Sequence, residues 1–201
     1  MTSFMDVSGH KKDTNTSLKK LYSSHIKHPA NSKYLIDKQL YNFRFTGVIA
    51  ANIPQARILH CRRHPLDNIL SMLRANLMPG NNYTANPIHA AEVIIEQEKA
   101  MRKYKKAWPQ NIKTFDYDLF VSSPRSILEP IIQWLGLEWS DSYLHPESSN
   151  RIINTASVQQ ARQPITNRSI GGWKNYIELI QPAQKLIINS GLFNDFDLRI
   201  S

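Results

Sequence analysis

Apolar and polar residues change their pattern near residue 34 of this chain. Residues 1–33 hold six Lys against Asp6 and Asp13, nine Ser or Thr, and one marginal amphipathic repeat through Leu18, Leu21, Tyr22 and Ile26. So little apolar surface does not offset the entropy of ordering, which predicts a polar, partly disordered leader with at most one short helix. From Tyr34 onward the pattern is periodic, so a folded domain is expected over 34–201. KYLI is a short strand candidate. A helix is expected over Phe43–Ala51, stopping before Pro54 because the residue ahead of a proline disfavours helical backbone. Ala56–Cys61 is an apolar run suited to a strand buried on both faces.

Pro65 then fits the first position of a helix, where its missing N–H costs nothing. Leu66, Ile69, Leu70 and Leu73 recur at i, i+3, i+4 and i+7, a core-facing stripe that leaves Asp67, Ser71 and Arg74 on a side able to face a ligand. Next come a turn-rich loop, PGNNYTANP, and a long helix over Pro87–Trp108 marked by Ile88, Ala91, Ile94, Met101 and Trp108. IKTFDY is the next strand candidate. Helices follow over Pro124–Leu135, ended by Gly136, and Pro182–Ser190, capped by Gly191. Strands alternating with helices predict an α/β domain with a parallel sheet.

Composition narrows the function classes. A chain of 201 residues with 41% hydrophobic positions is long enough for one domain with a sizeable core. Its single cysteine, Cys61, excludes an internal disulfide and a cysteine-based zinc site, so a reducing, cytoplasmic setting is expected. No apolar run reaches the length of a membrane span, and MTSFMDVSGHKK has no apolar signal core. The net charge of +9 attracts phosphates, sulfates, acidic proteins or anionic surfaces without choosing among them.

The junction CRRHPLDNILS makes that choice sharper. In parallel α/β sheets, ligands bind beyond the carboxyl ends of strands, where a helix start offers free N–H groups. Arg63 belongs at that edge, with Arg62 pointing the other way. Its guanidinium can hold a phosphate by two parallel hydrogen bonds, with the Ser71 hydroxyl as a further donor. The same spacing also describes a surface arginine paired with Asp67 and a serine on a solvated face.

R-x-P-x-D-x-x-x-S, here Arg63, Pro65, Asp67 and Ser71, resembles the 3′-phosphate-binding segment of sulfotransferases that use 3′-phosphoadenosine 5′-phosphosulfate. The run IDKQLYNFRFTGVIAANIPQARILHCRRHPLDNILS is similar to a DK-x-x-x-N…P-x-A-x-I-x-x-x-R-x-P-x-D block of bacterial, tetratricopeptide-repeat-associated members. FDYDLFVSSP resembles the family's Y-E-x-L-V-x-x-P, and NTASVQQARQPITNRSIGGWKNY its T-A-S-x-x-Q-x-R-x-P-I…S-x-G-x-W-x-x-Y, in the same order from Tyr34 to residue 190. The resemblance implies a P-loop-NTPase-like sulfotransferase fold, a parallel sheet flanked by helices, and sulfonate transfer to a hydroxyl acceptor: a peptide tyrosine, a saccharide or a small alcohol. It implies no metal.

Residue by residue, Arg63 and Ser71 match the positions that hold the donor's 3′-phosphate. Lys38 matches a lysine of the tyrosylprotein-sulfotransferase branch beside the transferring sulfonate, and Ser157 a serine near the same group. Tyr117 matches a nucleotide contact. Arg162, Arg168, Gly172 and Trp173 match the loop that closes over the donor, although Trp173 also reads as a core anchor and Ser157 as a local cap. His60 and His64 show no metal spacing and read as structural.

The departures are as informative. The family's opening apolar strand and its P-R-S-G-T-T-type loop, which cradles the 5′-phosphosulfate, have no counterpart in the sequence, and neither does its general base. Arg74 stands one residue short of a basic position of some relatives, where this chain has Ala75. A partial sulfotransferase domain lacking its first strand and phosphosulfate loop is therefore expected. Two alternatives compete: an inactive homologue that retains nucleotide affinity, and a basic nucleic-acid-binding module using Arg62, Arg63, Arg74 and the leader lysines. The second has no recognition-helix or aromatic-surface pattern behind it, so nucleic acid is not an expected partner.

Overall fold

The computed structural model describes residues 34–75, 80–148 and 163–199, in two compact units that divide between Ala56 and Arg57. The expected leader over 1–33 lies outside the described residues. In the first unit, the strand expected at KYLI does not form: Tyr34–Gln39 has no regular structure, and Ile36 is 84% exposed. A strand needs a partner for its backbone groups, and this unit offers none among the described residues. The single helix expected over Phe43–Ala51 divides at Phe45 into a 3-10 turn, Asn42–Arg44, and α1, Thr46–Asn52. The Thr46 hydroxyl donates to the Asn42 carbonyl at 3.1 Å and joins the two pieces. As expected, α1 ends ahead of Pro54.

The second unit contains β1 (Ile58–Arg62), α2 (Pro65–Ala75), α3 (Pro87–Ala107), β2 (Ile112–Asp116), α4 (Tyr117–Ser122), α5 (Pro124–Trp134) and α6 (Ile177–Asn189). The strands pair in parallel, from Ile58 opposite Ile112 to Arg62 opposite Asp116, giving a mixed α/β fold with a small parallel sheet flanked by helices. Burial of β1 is one-sided, contrary to expectation: His60 is buried, while Leu59 and Cys61 on the other face are exposed.

A hydrophobic core cluster forms where the stripe Leu66, Ile69 and Leu70 of α2 meets Ala90, Ala91 and Ile94 of α3 and Ile180, Ala183 and Ile187 of α6, and Ile112 of β2 is buried as well. Asn86 caps α3 by accepting the Ile88 N–H at 2.8 Å, and Pro87 fills its first turn. Within the expected turn-rich loop, Asn82–Ala85 forms a 3-10 turn. The last helix begins at Ile177, earlier than the expected Pro182, which sits inside it. Its start is set by the apolar repeat through Ile180, Ala183 and Ile187, which needs the extra turn to reach the core.

Candidate functional site

Parallel register decides which residues meet at the carboxyl edge of the sheet. Arg62 is paired with Asp116, so Arg63 and Tyr117 leave the strands side by side. The Arg63 guanidinium lies 5.3 Å from the centre of the Tyr117 ring, and its Nη2 donates to the Ser169 carbonyl at 3.0 Å. Its Nε is buried and makes no hydrogen bond among the described residues. The facing atom is Asp118 Oδ1 at 4.0 Å, which also lacks a hydrogen-bond partner there. The other Asp118 oxygen accepts the His64 N–H at 2.6 Å and ties the two strand ends together. Burial raises the Asp118 pKa, against the opposing pull of that hydrogen bond and of Arg63. Asp116 caps α4 by accepting from the Asp118 and Leu119 N–H groups, both at 3.0 Å, which fixes where Tyr117 and Asp118 point. Sequence reasoning missed Asp118, although it is the acidic residue of the Y-E block that supplied Tyr117.

Asp67 neither pairs with Arg63 nor faces a ligand. It is 2% exposed, and its two oxygens accept the Gly171 N–H at 2.7 Å and the Trp173 N–H at 2.9 Å. Gly171 takes a left-handed backbone, φ +74°, and opens the 3-10 turn Gly172–Tyr176. Trp173 is the core anchor of the two readings: its indole is buried and stacks on the His64 ring at 5.7 Å. His64 Nε2 lies 2.9 Å from the Asp197 carbonyl, and the ring edge meets Phe196. Farther along the same face of α2, Ser71 is exposed one turn beyond Asp67, and the Arg74 guanidinium lies 4.8 Å from the Tyr176 ring centre. Arg168 occupies the exposed turn next to Ser169.

Arg63, Tyr117, Gly172 and Trp173 are therefore gathered at one edge, with Arg168 next to Ser169 in the same segment and Ser71 one turn farther along α2. Lys38 is exposed in the first unit, and Ser157 and Arg162 lie outside the described residues. Arg62, as expected, takes the other direction. It donates to both oxygens of Asp195, at 2.7 and 3.1 Å, and its Nε lies 3.3 Å from Glu98. The Arg62 hydrogen bond lowers the Asp195 pKa. A cavity of about 240 Å³ opens beside His60, Arg62, Glu98, Arg102 and Lys105. Its cations are engaged, Arg102 with Glu98 and Lys105 with Thr114, each at 2.8 Å. Burial holds the His60 pKa down to about 4.

A family model described as "Sulfotransferase family" matches residues 1–141. The chain belongs to the sulfotransferase family. The match contains Lys38, Arg63, Ser71, Tyr117 and Asp118, whereas the Gly171–Trp173 turn lies beyond it. It begins at residue 1, ahead of the motif resemblance that starts at Tyr34. An uncharacterized protein of Aquifex aeolicus (strain VF5) is similar, 23% identical over 156 residues, which is 76% of this chain and 20% of that protein. The chain thus spans about a fifth of the length of the curated relative it matches. Among its described residues, no helix is long and apolar enough to cross a membrane.

Proposed function

We propose that this chain carries the nucleotide-binding part of a sulfotransferase that uses 3′-phosphoadenosine 5′-phosphosulfate and a hydroxyl acceptor. The observation that carries the reading is the place of the Arg63 guanidinium, partly exposed just beyond two parallel strand ends, with Nη2 held by the Ser169 carbonyl and Nε turned toward Asp118. Such a group suits a phosphate, which a guanidinium binds through paired, charge-assisted hydrogen bonds. The Asp118 Oδ1 that faces Nε, 4.0 Å away, offsets part of the Arg63 charge, so a phosphate would be met by the Nη groups. Ser71 and Arg168 would add a hydroxyl and a second cation, and Tyr117 an aromatic face for the nucleotide.

In the reaction, the bond between sulfur and the donor's phosphate oxygen breaks, with its electron pair left on the phosphate, while the acceptor oxygen forms a new bond to sulfur. The hydroxyl proton leaves to a base. By family resemblance, Lys38 and Ser157 would stabilise charge near the sulfonate, and Arg162, Arg168 and Gly172 would belong to the loop over the donor. The acceptor class is a peptide tyrosine, a saccharide or a small alcohol.

Isothermal titration of the purified chain with adenosine 3′,5′-bisphosphate and with 5′-AMP tests the nucleotide reading. Tighter binding of the bisphosphate is expected. Equal affinity for the two ligands would overturn the assignment of Arg63 to a 3′-phosphate.

A further inference from the structure

We infer that Asp67 is a positioning residue for nucleotide binding, a buried carboxylate that sets the Ser169–Trp173 segment, and through it Arg63, in binding geometry. The inference rests on the 3′-phosphate reading of Arg63. Asp67 lies in the first turn of α2, a place that favours a carboxylate for the helix alone. Its oxygens are nevertheless aimed away from that helix, at two N–H groups of a distant segment, Gly171 at 2.7 Å and Trp173 at 2.9 Å. Both oxygens are used and the side chain is 2% exposed, so the contact is shielded from bulk solvent.

Three links join residues 63–67 to residues 169–173. Arg63 Nη2 donates to the Ser169 carbonyl, His64 stacks on Trp173, and Asp67 receives the two N–H groups. The first link is the relevant one for function. The Ser169 carbonyl holds one arm of the guanidinium while the Tyr117 ring supports its plane, so the direction of the remaining N–H groups depends on where Ser169 stands. Ser169 in turn precedes Gly171, whose N–H is bound to Asp67. A Cβ on Gly172 would stand 3.7 Å from Asp67 Oδ1, so the carboxylate lies directly under the turn.

A carboxylate suits this position because it accepts two N–H groups without donating. The isosteric Asp67→Asn puts an NH₂ group opposite one of those donors, which leaves the turn in place by packing but releases one of its two ties. The adenosine 3′,5′-bisphosphate affinity is expected to fall roughly tenfold, the size of effect that hydrogen bonds to a charged group carry. Affinity for 5′-AMP, which has no 3′-phosphate to sense Arg63, should fall by a smaller factor, so the ratio of the two affinities reports the Arg63 contact.

Titration of Asp67→Asn with both ligands, beside Arg63→Ala and the double variant, tests this. A lowered preference for the bisphosphate, with the double variant no worse than Arg63→Ala alone, supports the inference. A preference equal to that of the unaltered chain, or additive losses in the double variant, overturns it and leaves the reading of Arg63 standing. No bisphosphate preference in the unaltered chain overturns that reading and the inference with it. Binding of 5′-AMP reports that the variant is folded. If Asp67→Asn does not fold, Gly171→Ala displaces the same turn through its φ of +74° without touching the carboxylate. The same selective loss supports the inference, and an unchanged preference overturns it.

Discussion

Arg63 is expected to matter more to the nucleotide than any other described residue, because its guanidinium stands just beyond the carboxyl ends of both strands, against the Tyr117 ring. Arg63→Ala should cost about 1.5–3 kcal/mol of adenosine 3′,5′-bisphosphate binding, the scale of a charge-assisted contact, with Ser71→Ala costing less. Titration calorimetry on both variants checks the order as well as the size. A second residue-scale expectation concerns His60, whose pKa falls from an ordinary 6.5 to about 4, chiefly because burial disfavours its charged form. Above pH 6.5 the imidazole is neutral whether the chain is folded or unfolded. Below it the unfolded chain takes up a proton that the folded chain refuses until about pH 4. Stability present at neutral pH is therefore lost as pH falls through that window, by up to ~3 kcal/mol. Urea unfolding from pH 7 to 4 should show a shallower decline for His60→Gln than for the unaltered chain. The opposite roles of Arg62 and Arg63 were legible from their alternation at a strand end. Asp67 was not, because its partners, Gly171 and Trp173, are remote in sequence and helical spacing alone puts it on a ligand-facing side.

At the scale of elements, local signals located most of the second unit. Pro65, Pro87 and Pro124 open α2, α3 and α5, and Gly136 and Gly191 follow α5 and α6 in left-handed backbone, φ +70° and +66°. Two expectations failed for the same physical reason: proline and apolar runs report local preference, while pairing and burial are decided at a distance. KYLI has strand-like composition, but Tyr34–Gln39 joins no sheet among the described residues. Pro182 looks like a helix start but lies exposed inside α6, where its nitrogen forfeits one intrahelical hydrogen bond. Pro182→Ala restores that donor and should raise stability by about 1 kcal/mol, less than the full propensity difference because the unfolded chain also gains freedom. A higher thermal midpoint by calorimetry is the expected result. The candidate site was readable at this scale too, since a parallel pairing of the two strand candidates is enough to bring Arg63 beside Tyr117.

For the whole molecule, the chain belongs to the family and spans a fifth of a relative's length, so its activity alone rests on what these 201 residues can hold in place. In-line transfer needs a sulfonate held in place before any side chain can stabilise the leaving oxygen. Loss of positioning and of backbone donors costs several kcal/mol each. With no P-R-S-G-T-T-like run in its 201 residues, the chain is expected to show no transfer above background. A chimera carrying a relative's N-terminal strand and loop should recover it. A radiolabelled-donor assay against a panel of hydroxyl acceptors compares the two directly, and robust transfer by the unaltered chain, abolished by Lys38→Ala, would refute the expectation. The tie between Asp67 and Gly171 has one further consequence, for the time at which the site comes into being. The two residues are separated by 104 positions, so their hydrogen bond closes one of the longest loops in the fold, and such contacts form only after more local ones have offset the entropy of closure. A nascent chain emerging from the ribosome would carry Arg63 early, yet hold it in binding geometry only once its last helix is being made.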